Sequence, residues 1–316
     1  MMSVQYLPPI PMLPAFRGGN LTPWGGDRLK TLYGKDIPCV PCGESLELSA
    51  IPGLESTAPD GVPLSELIRK HGEDLIGRYA HEAFPLLLKL IDARECLSVQ
   101  VHPSDDNVGY FETGKLGKTE AWLILDAPPG AEIIYGLQPG ITRKELERAC
   151  EGGRAVEFLL RRVPVQPGDV CYIPSGCIHA LTPGLLVYEI QQSSDVTYRF
   201  YDWDRVGKDG SRRPLHIAQA LTVCDLQLRP EPVRQASGRA VDSPFFTLDL
   251  IPVHGSAPVP AWGEFGILTS LDSDLWLNWE SGLYQMKKGE TCILPKACPP
   301  LVLEGNGRAA LSTPGK

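Results

Sequence analysis

With 316 residues, 43% of them hydrophobic and 22% charged, the chain has the make-up of an ordinary globular protein, long enough for one large or two modest domains. A formal net charge of −8 removes the electrostatic ground for nucleic acid or an anionic membrane as partner, and no apolar run is long enough to cross a bilayer. Nine scattered cysteines, odd in number, read as reduced thiols of a cytoplasmic protein and not as a disulfide framework.

The first stretch, Met1–Pro14, is apolar but holds four prolines and no basic residue, which argues against a signal peptide. Cys39 and Cys42 form a C-x-x-C with no second close pair, so a loop with two free thiols is expected and not a zinc site. Pro63–Gly77 has proline at a helix start and apolar spacings of three and four, and His81–Leu90 continues with helical spacing. Thr142–Cys150 opens on a Thr cap with Glu145 three residues on, again a helix. The remainder, punctuated by 30 prolines and 32 glycines, reads as short strands and tight turns.

Leu97-Ser98-Val99-Gln100-Val101-His102 alternates with period two. On a strand this puts Ser98, Gln100 and His102 on one face and Leu97, Val99 and Val101 on the other. An amide and an imidazole on the face of an apolar strand need polar partners, and a metal ion is one way to supply them. Eighteen residues beyond His102, Glu120 opens the apolar run Ala121–Leu125. Further on, Gly168-x5-Pro174-x-Gly176-x2-His179 matches the second signature of the cupin barrels, whose last histidine is a metal ligand. Two imidazoles, a carboxylate and an amide oxygen suit zinc, manganese or iron and leave positions open for water or substrate.

A faint internal repeat relates Pro167–Pro174 to Lys288–Pro295, each with Gly, an acid, Cys and Pro at matching places. It suggests a mostly β protein of two β-barrel domains. Residues 1–235 would be the metal-binding domain, with barrel strands around 85–205. Residues 236–316 would be a degenerate barrel without metal ligands.

The run Glu189–Arg205 (EIQQSSDVTYRFYDWDR) is too distinctive for composition to explain. Together with Leu97–Asp106, Gly117–Trp122, Gly168–His179, Pro23–Gly26, Gly43–Glu47 and Arg213–His216 it resembles the short bacterial form of the type I mannose-6-phosphate isomerases. Leu46 departs from the pattern, since the family commonly has Trp there. The resemblance is specific over residues 20–225 and weak beyond.

The resemblance implies two cupin (jelly-roll) β-barrels with a small helical insertion, and a zinc-dependent aldose–ketose isomerase with one zinc per chain held by Gln100, His102, Glu120 and His179. It implies that Arg199 acts at the reacting carbons and that Ser98 and Lys118 lie toward the sugar or its phosphate. The expected partner is a small phosphorylated sugar, and the expected state a monomer or weak homodimer.

The residues support that chemistry. An enediol route needs a metal or a fixed cation to hold developing negative charge, and a guanidinium beside the site does so. Period two predicts Thr197, Arg199 and Tyr201 on one face, and Lys118 on the face of Glu120. Glu189 and Lys118 are the candidates for proton transfer. Iron or manganese cupin dioxygenases and non-catalytic sugar-binding cupins share the ligand set but have no need of Arg199 and Lys118 beside it.

Overall fold

The computed structural model describes residues 6–151, 153–207 and 210–316, and the chain divides into two compact units. One unit is Arg17–Glu44 with Leu90–Gln235; the other is the described residues up to Phe16, Ser45–Lys89 and Ala236–Lys316. The first of these units ends at Gln235, while its part of the early chain is the short segment Arg17–Glu44. Ser45–Lys89 groups with the C-terminal segment. Long-range pairing of this kind is also seen where Ile10–Met12 lies antiparallel to Thr291–Leu294, and no local pattern announces it.

The molecule is mostly β, as expected. In the unit containing Leu90–Gln235, one sheet has five strands in the order Tyr198–Tyr201, Val99–Val101, His179–Leu181, Glu132–Leu137, Leu160–Pro164. The other sheet includes the antiparallel trio Leu185–Gln192, Glu120–Asp126 and Val170–Ile173. Trp122, Ile124, Cys171, Ile173 and Val187 from this second sheet pack against Ile133, Tyr135, Val163 and Leu181 from the first, which makes the space between the sheets a core. Alternate residues of the five-stranded sheet face the other way. Val99, Val101, Ile134 and Ala180 join Leu146 and Ala149 of the helix Arg143–Glu151, and Ala220 and Leu221 of the helix Ile217–Val223. Period-two alternation thus leaves Gln100 and His179 on the inner side.

The helix starting near Thr142 forms as expected. Thr142 N–H donates to Glu145 Oε2 at 2.8 Å while Glu145 N–H donates to Thr142 Oγ1 at 3.3 Å, a reciprocal cap. Pro63 precedes the helix Leu64–His71, which ends at Gly72 before a second short helix, Glu73–Ile76. His81–Leu90 does not continue it: Leu86–Ala93 is a fully buried strand. Its two polar residues, Lys89 and Asp92, stand three apart, a spacing that also fits a helix, and the other six positions are apolar, as in a strand buried on both faces. Leu97 also departs from the reading, since it lies outside the strand Val99–Val101 and packs with the inner core. Cys39 and Cys42 are free thiols, as are the other seven cysteines.

The internal repeat has a structural counterpart. Gln166 N–H donates to Asp169 Oδ2 at 3.1 Å, and Lys287 N–H donates to Glu290 Oε2 at 2.9 Å. Gly168 and Gly289 both have positive φ, and both turns lead into strands whose Cys171 and Cys292 are fully buried. In each copy the glycine makes the turn, and the acid pins the turn three residues back.

Gly136, in the strand beside His179–Leu181, sits at φ 91°, and a Cβ there would lie 2.4 Å from the Leu228 carbonyl oxygen. Gly136→Ala should therefore cost about 2 kcal/mol or more and lower Tm by several degrees. Thermal unfolding followed by circular dichroism checks this; an unchanged Tm would show that the segment around Leu228 yields freely.

Candidate metal centre

Register across the two sheets assembles the site. In the five-stranded sheet Arg199 pairs with Gln100, Gln100 with His179, and His179 with Tyr135, so the four form one row across neighbouring strands on the inner face. In the facing sheet Gln191 pairs with Glu120 and Glu189 with Trp122. Strands far apart in sequence thereby bring a carboxylate opposite two imidazoles.

His102, Glu120 and His179 form a buried cluster with one ligand atom from each lying within 4.8 Å of the others. His179 Nε2 is 3.2 Å from Glu120 Oε1, and His102 Nε2 is 3.5 Å from Glu120 Oε2. Each imidazole is oriented from behind: His102 Nδ1–H donates to the Val196 carbonyl and His179 Nδ1–H to the Cys177 carbonyl, both at 2.9 Å. With Nδ1 protonated, the Nε2 lone pair of each ring faces Glu120, the tautomer a metal ligand needs. Neither oxygen of Glu120 accepts a well-directed hydrogen bond, although both are buried. A carboxylate taken out of water without directed partners costs several kcal/mol, and a divalent cation among these three donors offsets that. The donor set fits such an ion.

Lys118 belongs to the same cluster. Its Nζ lies 2.5 Å from Glu120 Oε2 and 3.0 Å from His102 Nε2, and the side chain is buried. Burial alone pushes the Glu120 carboxyl up, but Lys118, His102 and His179 together hold it well below the ordinary value. Burial, with Lys118 and His179, holds His102 well below the usual histidine range, against the opposing pull of Glu120. Both directions keep the two residues in the forms that bind a cation.

Gln100 stands at the rim of the cluster. Its Nε2 is 3.3 Å from His179 Nε2 and 3.5 Å from His102 Nε2, while Ser98 Oγ donates to its Oε1 at 3.2 Å. Ser98 is thus set to orient the Gln100 amide. Glu189 is buried, and its Oε2 accepts from Trp122 Nε1 at 2.8 Å. Trp122 also stands edge-on to the His179 ring, with centroids 5.4 Å apart. Arg199 Nε is buried with no hydrogen-bond partner. Burial and the nearby Arg213 lower the Arg199 pKa, with Asp202 acting the other way.

One face prediction fails. Tyr201 pairs with Val99 because the ladder shifts between Arg199 and Tyr201, so Phe200 and Tyr201 both join the outer core. A β-bulge inserts one residue and reverses the alternation beyond it. Arg199 therefore faces inward without Tyr201, which instead donates to Glu157 and Asp204. Asp202 is bound by Arg213 and Arg205, a structural ion-pair network.

Asp202, Arg205 and Arg213 also border a cavity of about 670 Å³, whose wall includes Arg94, Arg212 and Glu95. It supplies local cationic surface in a chain of net charge −8.

Two family models match the chain: phosphomannose isomerase type I, catalytic domain, over residues 19–113, and mannose-6-phosphate isomerase, cupin domain, over 237–314. The Streptococcus mutans protein named mannose-6-phosphate isomerase is 37% identical over 295 residues, covering 90% of this chain and 92% of that protein. The chain belongs to the type I mannose-6-phosphate isomerase family. Bacillus subtilis mannose-6-phosphate isomerase ManA is 36% identical, with 92% of this chain and 94% of that one covered. The crystal structure of the mannose 6-phosphate isomerase from Bacillus subtilis matches with a TM-score of 0.88 at 35% identity, over 97% of this chain and 99% of that one. A structure from Archaeoglobus fulgidus, at 24% identity and a TM-score of 0.82, shares the fold over both chains entire. Like these relatives, the family member described here is an isomerase.

If the three-residue cluster holds an ion, Glu120→Gln and His179→Ala should retain less than about a tenth of the wild-type metal, since each removes a direct donor. Gln100→Ala should lose far less. Elemental analysis after dialysis against trace metal checks this, and added zinc should raise the Tm of the wild type and of Gln100→Ala but not of the other two variants.

Proposed function

We propose that the chain interconverts mannose 6-phosphate and fructose 6-phosphate through an enediol, with one zinc ion held by Gln100, His102, Glu120 and His179. The observation that carries this is the buried Glu120 facing two imidazoles whose Nδ1 atoms are both tied back to carbonyls. It stands in a chain whose relatives are named for this reaction over nearly their whole length. When bound, the metal supplies Lewis-acid polarisation of the substrate's oxygens without redox chemistry. A half-turn of the Gln100 amide would present Oε1 to the same centre, with Ser98 then facing the amide nitrogen.

The chain's own residues account for the remaining chemistry. The proton leaves C2 of the aldose and is returned to C1, the hydroxyl proton moving between the two oxygens as the double bond shifts. Glu189 and Lys118 are the groups that would carry the carbon-bound proton: one carboxylate, one amine, both on the inner face with Glu120. Arg199 holds the developing enediolate oxygen through an inward guanidinium whose Nε is unpaired. The arginines of the cavity around Arg213, whose lining includes none of the proposed metal ligands, offer cationic groups that suit a phosphate. In this reading the two units are a metal-bearing cupin barrel and a degenerate second one, and the enzyme works in the cytoplasm as a monomer or weak dimer.

Formation of fructose 6-phosphate, coupled to a nicotinamide readout, tests the proposal directly. Turnover should vanish with chelator, return with zinc, and persist without oxygen; a zinc-replete enzyme with no turnover sinks the proposal. Arg199→Ala should keep its metal and lose about 100-fold or more in kcat. Lys118→Met should raise KM as well as lower kcat, and unchanged kinetics would remove Lys118 from the site.

A further inference from the structure

His216 lies outside the metal cluster and outside every role given so far. The strand Tyr198–Tyr201 is the edge of its sheet, so one side of its backbone has no neighbouring strand. At Arg199 that side is closed by a single residue. His216 N–H donates to the Arg199 carbonyl at 2.9 Å, and Arg199 N–H donates to His216 Nδ1 at 3.3 Å. One histidine thus replaces a strand, using its own peptide for one bond and its imidazole for the other.

Three further observations give this clamp direction. Arg199 is paired with Gln100, yet its N–H and C=O point away toward His216, which makes the pair non-hydrogen-bonded, the kind in which side chains approach most closely. The bulge follows at once, between Arg199 and Tyr201, where an edge strand would otherwise drift from its register. His216 is itself fixed, as the N-cap residue of the helix Ile217–Val223, whose Ala220 N–H donates to the His216 carbonyl at 2.8 Å and whose Ala220 and Leu221 sit in the outer core.

We infer that His216 is a positioning residue for Arg199: it locks the backbone of residue 199 from the open edge, so that the guanidinium is held beside Gln100 while its Nε makes no hydrogen bond. The inference rests on the reading of Arg199 as the enediolate-stabilising cation. Burial and the Arg199 charge lower the His216 pKa against the pull of Glu112, in keeping with a neutral ring whose Nδ1 accepts. A guanidinium left unbonded at Nε gains nothing for folding, whereas two bonds spent on its backbone fix where it points.

The test compares His216→Asn, whose Oδ1 can accept at the place of Nδ1, with His216→Leu and His216→Ala, which cannot. Turnover is measured per bound metal, well below each variant's Tm, so that folding losses do not enter. The expected result is a fall in kcat of about 10-fold or more for Leu and Ala with KM changed less than about threefold, and recovery of much of it in Asn. The inference is overturned if Leu and Ala turn over like wild type, or if Asn is as slow as Leu; should Ala fail to fold, the Asn and Leu pair decides. Arg199→Ala separates the two readings. If it is as fast as wild type, the role given to Arg199 falls and takes the clamp with it. If it is slow while His216→Leu is fast, only the clamp falls.

Discussion

A carboxylate that sits in a protein core without directed hydrogen bonds is the constraint on which the rest of this site depends. Glu120 is buried between two sheets, among residues as apolar as Trp122, Ile173 and Val187. Its charge is held there by the Lys118 ammonium and two imidazoles, whose attraction outweighs the cost of burial. Each of these partners is in turn fixed by something else. The imidazoles are anchored to the carbonyls of Val196 and Cys177, and those carbonyls belong to the chain just before the Arg199 strand and just before the His179 strand. The His102–Glu120–His179 cluster is thus tied mechanically to the strand that carries Arg199: His102 is held by Val196, three residues before Arg199. A shift of that strand would move a ligand and a cation together.

The inner faces are rows, and rows are what antiparallel pairing makes best. Arg199, Gln100 and His179 come from three strands and need no loop to bring them into line. Sites built on paired strands are more precise than sites on loops, because every residue's position is set by two neighbours. The exception is the edge, where one neighbour is missing. There the chain has a bulge and two hydrogen bonds to the histidine at residue 216, so the least supported strand of the sheet is reinforced at Arg199.

Much of this was legible in the sequence, and the limits have physical causes. His102, Glu120 and His179 stand out as polar groups in apolar strands at cupin spacing, and the structure gathers them in one cluster. The bond from Trp122 to Glu189 is not legible, because pairing register decides which residues stand opposite and register is a tertiary property. The face of Tyr201 was misassigned because a bulge leaves no mark in composition. The second half of His81–Leu90 joins a strand instead of a helix, since a mainly apolar run whose polar residues Lys89 and Asp92 stand three apart fits either period. His216 sits in Arg213-Pro214-Leu215-His216, a quartet visible in the sequence, but its function lies in two bonds to a residue 17 positions away.

The repeated turn shows why one copy leads into the His102–Glu120–His179 cluster and the other does not. Counting from the turn glycines, His179 stands eleven residues after Gly168, and the residue eleven after Gly289 is Pro300, preceded by Pro299. In the first copy that position opens a strand that pairs with Val99–Val101 on one side and Glu132–Leu137 on the other. Two successive prolines cannot donate to a ladder, and in the second copy the chain after Leu294 has no strand until Val302. The loss is therefore of the ligand and of the strand that would aim it. Among the described residues the only cluster able to hold an ion is that of the first copy. What the second copy keeps is the acid that pins the turn and the buried cysteine that follows, the parts that serve packing.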